Sequence, residues 1–253
     1  MARREEIIAW LDELLEIAAF DDYGQNGLQV PGTAEVTKVA TGVTPNLEFL
    51  VRARDGGAEL AIAHHLLFLG DGPRSLSEQM AERLRTVLGA ELSLAAYHLP
   101  LDAHPEHGNN ALLCARLGLE PQERRFAEFK GRPIGVVGRP PEPLPAAELV
   151  RRVSEAVGRD PLVFDAGPER VSSVGIVTGG ASSAIAEAGA LGLDALVTGE
   201  PSEHVMGDAR ELGIHFIAAG HYATETFGVR RLGELVAERF GVDHEFIDVP
   251  NPI

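Results

Sequence analysis

The chain has 253 residues, with 22 Lys and Arg against 38 Asp and Glu, for a formal net charge of −16 at pH 7. Its 45% hydrophobic and 24% charged composition excludes wholesale disorder, and the acidic balance argues against a long nucleic acid or an anionic membrane as partner. A single cysteine, Cys114, excludes an internal disulfide and a thiolate zinc site.

At about 150 residues per domain, the length allows one large domain or two modest ones. The N-terminus mixes Arg3 and Arg4 with Glu5, Glu6, Asp12 and Glu13, and so lacks the apolar stretch of a signal peptide. No window approaches the ~18 apolar residues of a membrane helix, so a cytoplasmic protein is expected.

Ile7, Ile8, Leu11, Leu14, Leu15 and Ala18 recur at helical spacing and predict an opening amphipathic helix. Turn residues follow at Gln25-Asn26-Gly27 and Pro31-Gly32. Strand-like runs at 36–43, 60–64 and 92–97 then alternate with helical patterns at 47–54 and 76–88. The alternation resumes with strands at 134–137, 162–164, 174–177, 195–198 and 215–219. Helices are expected between them at 146–157, 184–191 and 205–212, and a last one at 228–240. Such alternation predicts an α/β fold with mixed, largely parallel sheets. The Pro-rich segment 139–145 reads as a loop ending in a helix start.

A weak internal duplication is visible. Lys38-Val39-Ala40-Thr41-Gly42-Val43 and Val174-Gly175-Ile176-Val177-Thr178-Gly179 open similar units, and later strands end in Tyr97-His98 and Gly220-His221. A carboxylate lies four residues beyond each histidine, Asp102 and Glu225. Two similar lobes, 1–127 and 128–253, are therefore expected.

His64 and His65 close a buried-looking strand. Successive strand side chains point to opposite faces, so the pair serves one site only if the strand ends or kinks there; otherwise it is incidental. The spacing of His98 to Asp102, and of His221 to Glu225, suits either an intrahelical ion pair or a pair of ligands. Imidazoles and carboxylates without thiolate match the preferences of zinc, iron, manganese or nickel. His64, His65, Asp102, His221 and Glu225 are enough for two divalent ions sharing a carboxylate. Glu200 and His204 either line the same cavity or pair on a helix. The turn Thr178-Gly179-Gly180-Ala181-Ser182-Ser183 is structural or offers backbone N–H groups to a phosphate. His215 and His244 read as structural, and Trp10 as a core residue.

Taken in order, these motifs resemble the NGG-interacting-factor-three-like proteins, also described as GTP cyclohydrolase I type 2 homologues. The resemblance runs from Asn26-Gly27-Leu28-Gln29-Val30 through His64-His65, Leu101-Asp102-Ala103, Gly108-Asn109-Asn110, Thr198-Gly199-Glu200 and Gly220-His221-Tyr222-Ala223-Thr224-Glu225 to Phe246-Ile247-Asp248-Val249-Pro250-Asn251-Pro252. It implies two α/β lobes around a dinuclear centre, a homohexameric toroid, and the short form without an inserted domain. It also implies that His65 and Asp102 bind one metal, His64 and His221 the other, and that Glu225 bridges them. His98 then acts on substrate or in the outer shell. Leu99-Pro100-Leu101, His104 and His107 depart from the family pattern. The implied activity is metal-dependent hydrolysis or cyclohydrolysis of a nucleotide-like small molecule such as GTP. The alternative is a non-catalytic metal-binding, metal-delivery or regulatory protein.

Overall fold

The computed structural model describes residues 1–70, 72 and 75–253. In chain order its main elements are α1 (Arg4–Leu14), β1 (Gly27–Val30), β2 (Lys38–Gly42), α2 (Leu47–Asp55), β3 (Leu60–Ala63), α3 (Glu78–Gly89) and β4 (Ser93–Ala96). Then come α4 (Leu99–Ala103), α5 (Asn109–Arg116), β5 (Glu120–Phe129), β6 (Arg132–Arg139), α6 (Ala146–Val157) and β7 (Leu162–Phe164). The last are β8 (Val174–Ile176), α7 (Ile185–Ala190), β9 (Ala195–Thr198), α8 (Val205–Leu212), β10 (His215–Ala218), α9 (His221–Thr224), α10 (Thr226–Phe240) and β11 (Asp243–Phe246). Among the described residues, no helix is long and apolar enough to cross a membrane.

The chain divides into two compact units, Met1–Leu101 with Gly228–Val249, and Asp102–Phe227 with Pro250–Ile253. These are not the contiguous halves 1–127 and 128–253 expected from the sequence. Backbone pairing is the reason. Strand β11 lies parallel to β2, so residues near the C-terminus complete the first sheet. Strand β5 pairs with β6, and Leu113, Cys114 and Leu117 of the α5 segment pack in the second unit's core.

The first unit carries a five-stranded sheet in the order β11-β2-β3-β4-β1. Strands β11, β2, β3 and β4 run parallel, and β1 is antiparallel on β4. Of these, β2, β3 and β4 are short, mostly apolar runs buried on both faces, as parallel sheets require, whereas the edge strand β11 alternates exposed and half-buried residues. Helices α2 and α3 begin where side chains satisfy backbone N–H groups: Asn46 accepts from Phe49 N and Ser77 from Met80 N. Phe49, Leu50 and Val87 from these helices pack with Ala40, Ala61, Ala63 and Leu94 of the strands. Trp10 is half-buried, edge-on to Phe240 at 5.6 Å, so it borders the core instead of filling it.

The second unit carries a six-stranded sheet in the order β7-β10-β9-β8-β6-β5. Strands β8, β9 and β10 are parallel, and β7, β6 and β5 are antiparallel to their neighbours. The sequence reading missed β5. Among the described residues this edge strand pairs only with β6, and its exposed Pro121, Glu123 and Arg124 hide any alternation. The Pro-rich segment ends in Leu144–Pro145, paired with Arg170–Val171, and α6 starts at the next residue. Each unit thus has three consecutive parallel strands, β2-β3-β4 and β8-β9-β10, where the duplication was expected. Their flanks differ: β11 joins β2 in parallel, whereas β6 joins β8 antiparallel.

Candidate metal centre

In the first unit β3 ends at Ala63, and the N–H groups of His64 and His65 both reach Val43 O, at 3.1 and 2.8 Å. This turn releases the strand alternation that would have set the two imidazoles on opposite faces. Their ring centroids lie 5.2 Å apart, and His98, just past the end of β4, stands 5.2 Å from His64 and 6.0 Å from His65. His64 is fully buried and its Nδ1 donates to Tyr97 O at 3.0 Å. A carbonyl only accepts, so this tautomer carries its lone pair on Nε2. His65 Nδ1 lies 2.9 Å from Thr44 Oγ1.

His98 is gripped more tightly. Its Nδ1 donates to Asp22 Oδ1 at 2.8 Å, and its backbone N–H donates to Asn26 Oδ1 at 2.7 Å. Burial pushes the Asp22 carboxyl up, but hydrogen bonds from His98, Asn26 and Tyr23 N outweigh it and hold the group below its ordinary range. Tyr97, between the strand and His98, buries its hydroxyl on Asp12 at 2.8 Å. Burial, then the Asp12 charge, raises the Tyr97 pKa well above its ordinary value, so it remains a neutral anchor.

In the second unit the carboxylates gather around Thr178-Gly179. Asp102, 5% exposed, accepts on Oδ1 from Asn109 Nδ2 at 2.8 Å and from Thr178 Oγ1 at 3.3 Å. Asn110 donates to Asp102 O and accepts from Thr178 N at 2.7 Å, tying the start of α5 to the end of β8. Glu225, 2% exposed, follows α9, and its Oε1 lies 3.1 Å from His221 Nε2. His221 Nδ1 donates to Glu200. The Gly179-Gly180 backbone runs directly against this group. A Cβ on Gly179 would lie 2.2 Å from Glu225 Oε1 and 3.3 Å from His221 Nε2.

Burial opposes charge on His221, but Glu225 and Glu200 outweigh it and raise its pKa from 6.5 to about 9. A histidine raised in this way stabilises the fold fully below its unfolded pKa, and loses that contribution as pH rises through the folded one. Chelator-treated protein is therefore expected to lose Tm between pH 6.5 and about 9, with Glu200→Gln flattening the slope in calorimetry. The same proton competes with a cation, so metal affinity is expected to rise across that window.

The donor set fits divalent metals. It is made of imidazole nitrogen and carboxylate oxygen, while Cys114 is buried elsewhere against Leu119 O. The 3.1 Å between His221 Nε2 and Glu225 Oε1 suits two ligands about 2.1 Å from one cation. His64, His98 and His221 each donate Nδ1 to an oxygen acceptor, the outer-shell arrangement that orients metal-binding and proton-accepting imidazoles. His215 contrasts with them: its Nδ1 meets Asp165 and Gly167 N and its Nε2 donates to Pro168 O, a structural role. His244 Nε2 is held at 2.8 Å by Thr41.

Other expectations divide. Glu200 joins His221, whereas His204 lies 3.8 Å from Asp208 on exposed α8, so their i, i+4 spacing does not make them a pair. His104 and His107 stack on each other at 4.9 Å, and His104 Nδ1 accepts two backbone N–H groups. The Gly-rich turn presents its backbone to Glu225, Glu200 and His221, which argues against a bare phosphate cradle. Asp22 escaped the sequence reading as a site residue, and Thr178 entered it only as part of the Gly-rich turn. Asn26 and Asn110 were visible only as parts of motifs, because their role is to hold other side chains.

Two α/β units, each with three consecutive parallel strands and a cluster of imidazole or carboxylate groups beyond their ends, define the class. The chain belongs to the Duf34/NIF3 (NGG1p interacting factor 3) family, whose model matches residues 2–252. It is 42% identical to the GTP cyclohydrolase 1 type 2 homolog of Escherichia coli K12 over 99% of both chains. It is 40% identical to the Deinococcus radiodurans protein of the same name, over 98% of this chain and 93% of that one. Among solved structures, protein ybgI matches over 100% of both chains with a TM-score of 0.93 at 42% identity. TTHA1606 from Thermus thermophilus matches over 100% of both chains, with a TM-score of 0.88 at 35% identity.

Proposed function

We propose that the chain is a metal-dependent hydrolase or cyclohydrolase acting on a nucleotide-like small molecule. The residues that would hold its divalent ions are His64, His65, Asp102, His221 and Glu225. The observation that carries this reading is the common presentation of His64, His98 and His221, each with Nδ1 donating to a protein oxygen. Charge supports it too. The imidazoles of the first unit bring ligand nitrogen without anionic charge, and Asp102 and Glu225 bring the anions that a pair of cations needs.

In this reading His65 and Asp102 would hold one ion, His64 and His221 the other, and Glu225 would be shared. When bound, the ions supply Lewis acidity toward the scissile bond and toward an attacking water. His98 takes up a proton at Nε2. Asn109, Asn110 and Thr178 keep Asp102 oriented, and Glu200 keeps His221 in its Nδ1–H form. The native assembly is proposed to be a homohexamer, which light scattering of purified protein tests directly.

The test combines elemental analysis with a turnover screen. Protein prepared without chelator is expected to contain about two equivalents of Zn, Fe, Mn or Ni per chain, and to hydrolyse or ring-open at least one nucleotide in a panel that includes GTP. Absence of stoichiometric metal overturns the reading. Two tightly held metals with no turnover on the panel overturn its enzymatic half in favour of metal delivery or regulation.

A further inference from the structure

His98 stands beside His64 and His65, and the two residues that grip it come from the segment after α1, more than seventy positions earlier in the chain. Asp22 Oδ1 accepts from His98 Nδ1 at 2.8 Å, and its Oδ2 accepts from Leu99 N and Asn26 Nδ2, each at 2.9 Å. Asn26 Oδ1 takes His98 N at 2.7 Å. One carboxylate and one carboxamide thus hold the ring, its own backbone N–H and the next one. The Asp22 side chain is only 1% exposed, and the Tyr23 ring lies 5.8 Å from the imidazole between centroids. So dense a set of partners around one buried carboxylate is more than the end of a strand needs.

We propose that Asp22 is the positioning residue of His98, holding its imidazole as the Nδ1–H tautomer with Nε2 as the basic atom. The geometry favours this neutral form, because a carboxylate offers only acceptors and the 2.8 Å contact is made by Nδ1. The functional consequence rests on the hydrolase reading. As the water oxygen bonds to the electrophilic atom of the substrate, its proton passes to Nε2 of His98 and then to the leaving group. Asp22 remains a carboxylate throughout, orienting the ring and stabilising the imidazolium between the two transfers.

The test needs no substrate. Metal-free protein labelled with 15N-histidine, with His98 assigned by the loss of its signals in His98→Asn, is expected to show a single Nδ1–H tautomer for that ring. Asp22→Ala should convert it to a mixture of both tautomers, while Asp22→Asn, whose side-chain oxygen still accepts, should retain the Nδ1–H form. Asn26→Ala removes the bonds to Asp22 Oδ2 and His98 N but keeps the Asp22 Oδ1 acceptor of the imidazole, and is expected to leave the tautomer alone. An Nε2–H tautomer in the unaltered protein overturns the proposal even if Asp22→Ala fails to fold. Tautomer mixing in Asn26→Ala equal to that in Asp22→Ala also overturns it, since segment order would then be the cause.

Metal content separates this from the wider reading. Asp22→Ala is expected to keep the metal stoichiometry of the parent, and in any turnover found its kcat should fall by about 10²-fold or more with little change in KM. A protein with no turnover but the expected tautomers would retire the hydrolase reading and leave the positioning role standing.

Discussion

Replacing Glu225 by Ala is expected to lower the metal content from about two ions per chain to one or fewer and to abolish turnover. Glu225 is 2% exposed and its Oε1 lies 3.1 Å from His221 Nε2, so solvent has little access from which to supply a substitute ligand. Losing a residue that merely orients a ligand costs about 10–100-fold in affinity or activity, and loss of a ligand proposed to be shared by both ions should exceed that. Glu200→Gln is the matched control. It touches His221 through Nδ1 only, and is expected to stay within the 10–100-fold range while both ions remain. Elemental analysis, with the visible spectrum of cobalt-substituted protein, checks both variants. An unchanged two-ion content in Glu225→Ala would remove the bridging role.

Gly179→Ala is expected to damage fold and centre together. Gly179 has φ +70°, a conformation L-residues adopt only at a cost, and its new Cβ would meet Glu225 Oε1 at 2.2 Å. The partner is a buried carboxylate flanked by His221, so it cannot swing away as a surface side chain would. Backbone strain of about 1–3 kcal/mol, before any clash, corresponds to a Tm loss of roughly 3–10 °C for a chain of this size. Gly57→Ala provides the comparison: φ is +75° there, but nothing lies within 4 Å of the added Cβ. Gly57→Ala should therefore show the backbone penalty alone and keep its metal, whereas Gly179→Ala should lose both Tm and metal. Equal metal content in the two would show that the approach of Gly179 to Glu225 does not matter for binding.

Particular residues show where sequence reasoning reached and where it stopped. The apolar runs of β2, β3, β4, β8, β9 and β10 were legible because strands buried on both faces must be short and hydrophobic. His221 and Glu225 were legible as a pair because helical geometry brings i and i+4 together, and they do meet. The identical spacing of Glu200 and His204 misled for a complementary reason: His204 turns to Asp208 on α8 while Glu200 reaches across to His221. Strand β5 was hidden because an edge strand can carry charge along its exposed side.

By itself, the order of residues determined the alternation of strands and helices, the paired histidine–carboxylate motifs and membership in a family. All of these are encoded in spacing along a few turns of backbone or in motifs read in order. Only the tertiary structure decided that 228–249 closes the first sheet, that Asp22 and Asn26 seize His98, and that Asn110 and Thr178 fasten Asp102. Apart from Asn110 with Asp102, eight positions away, those contacts join positions dozens of residues apart, where partner choice depends on which side chains the packed sheets bring within hydrogen-bond range. Local periodicity carries no information about that range.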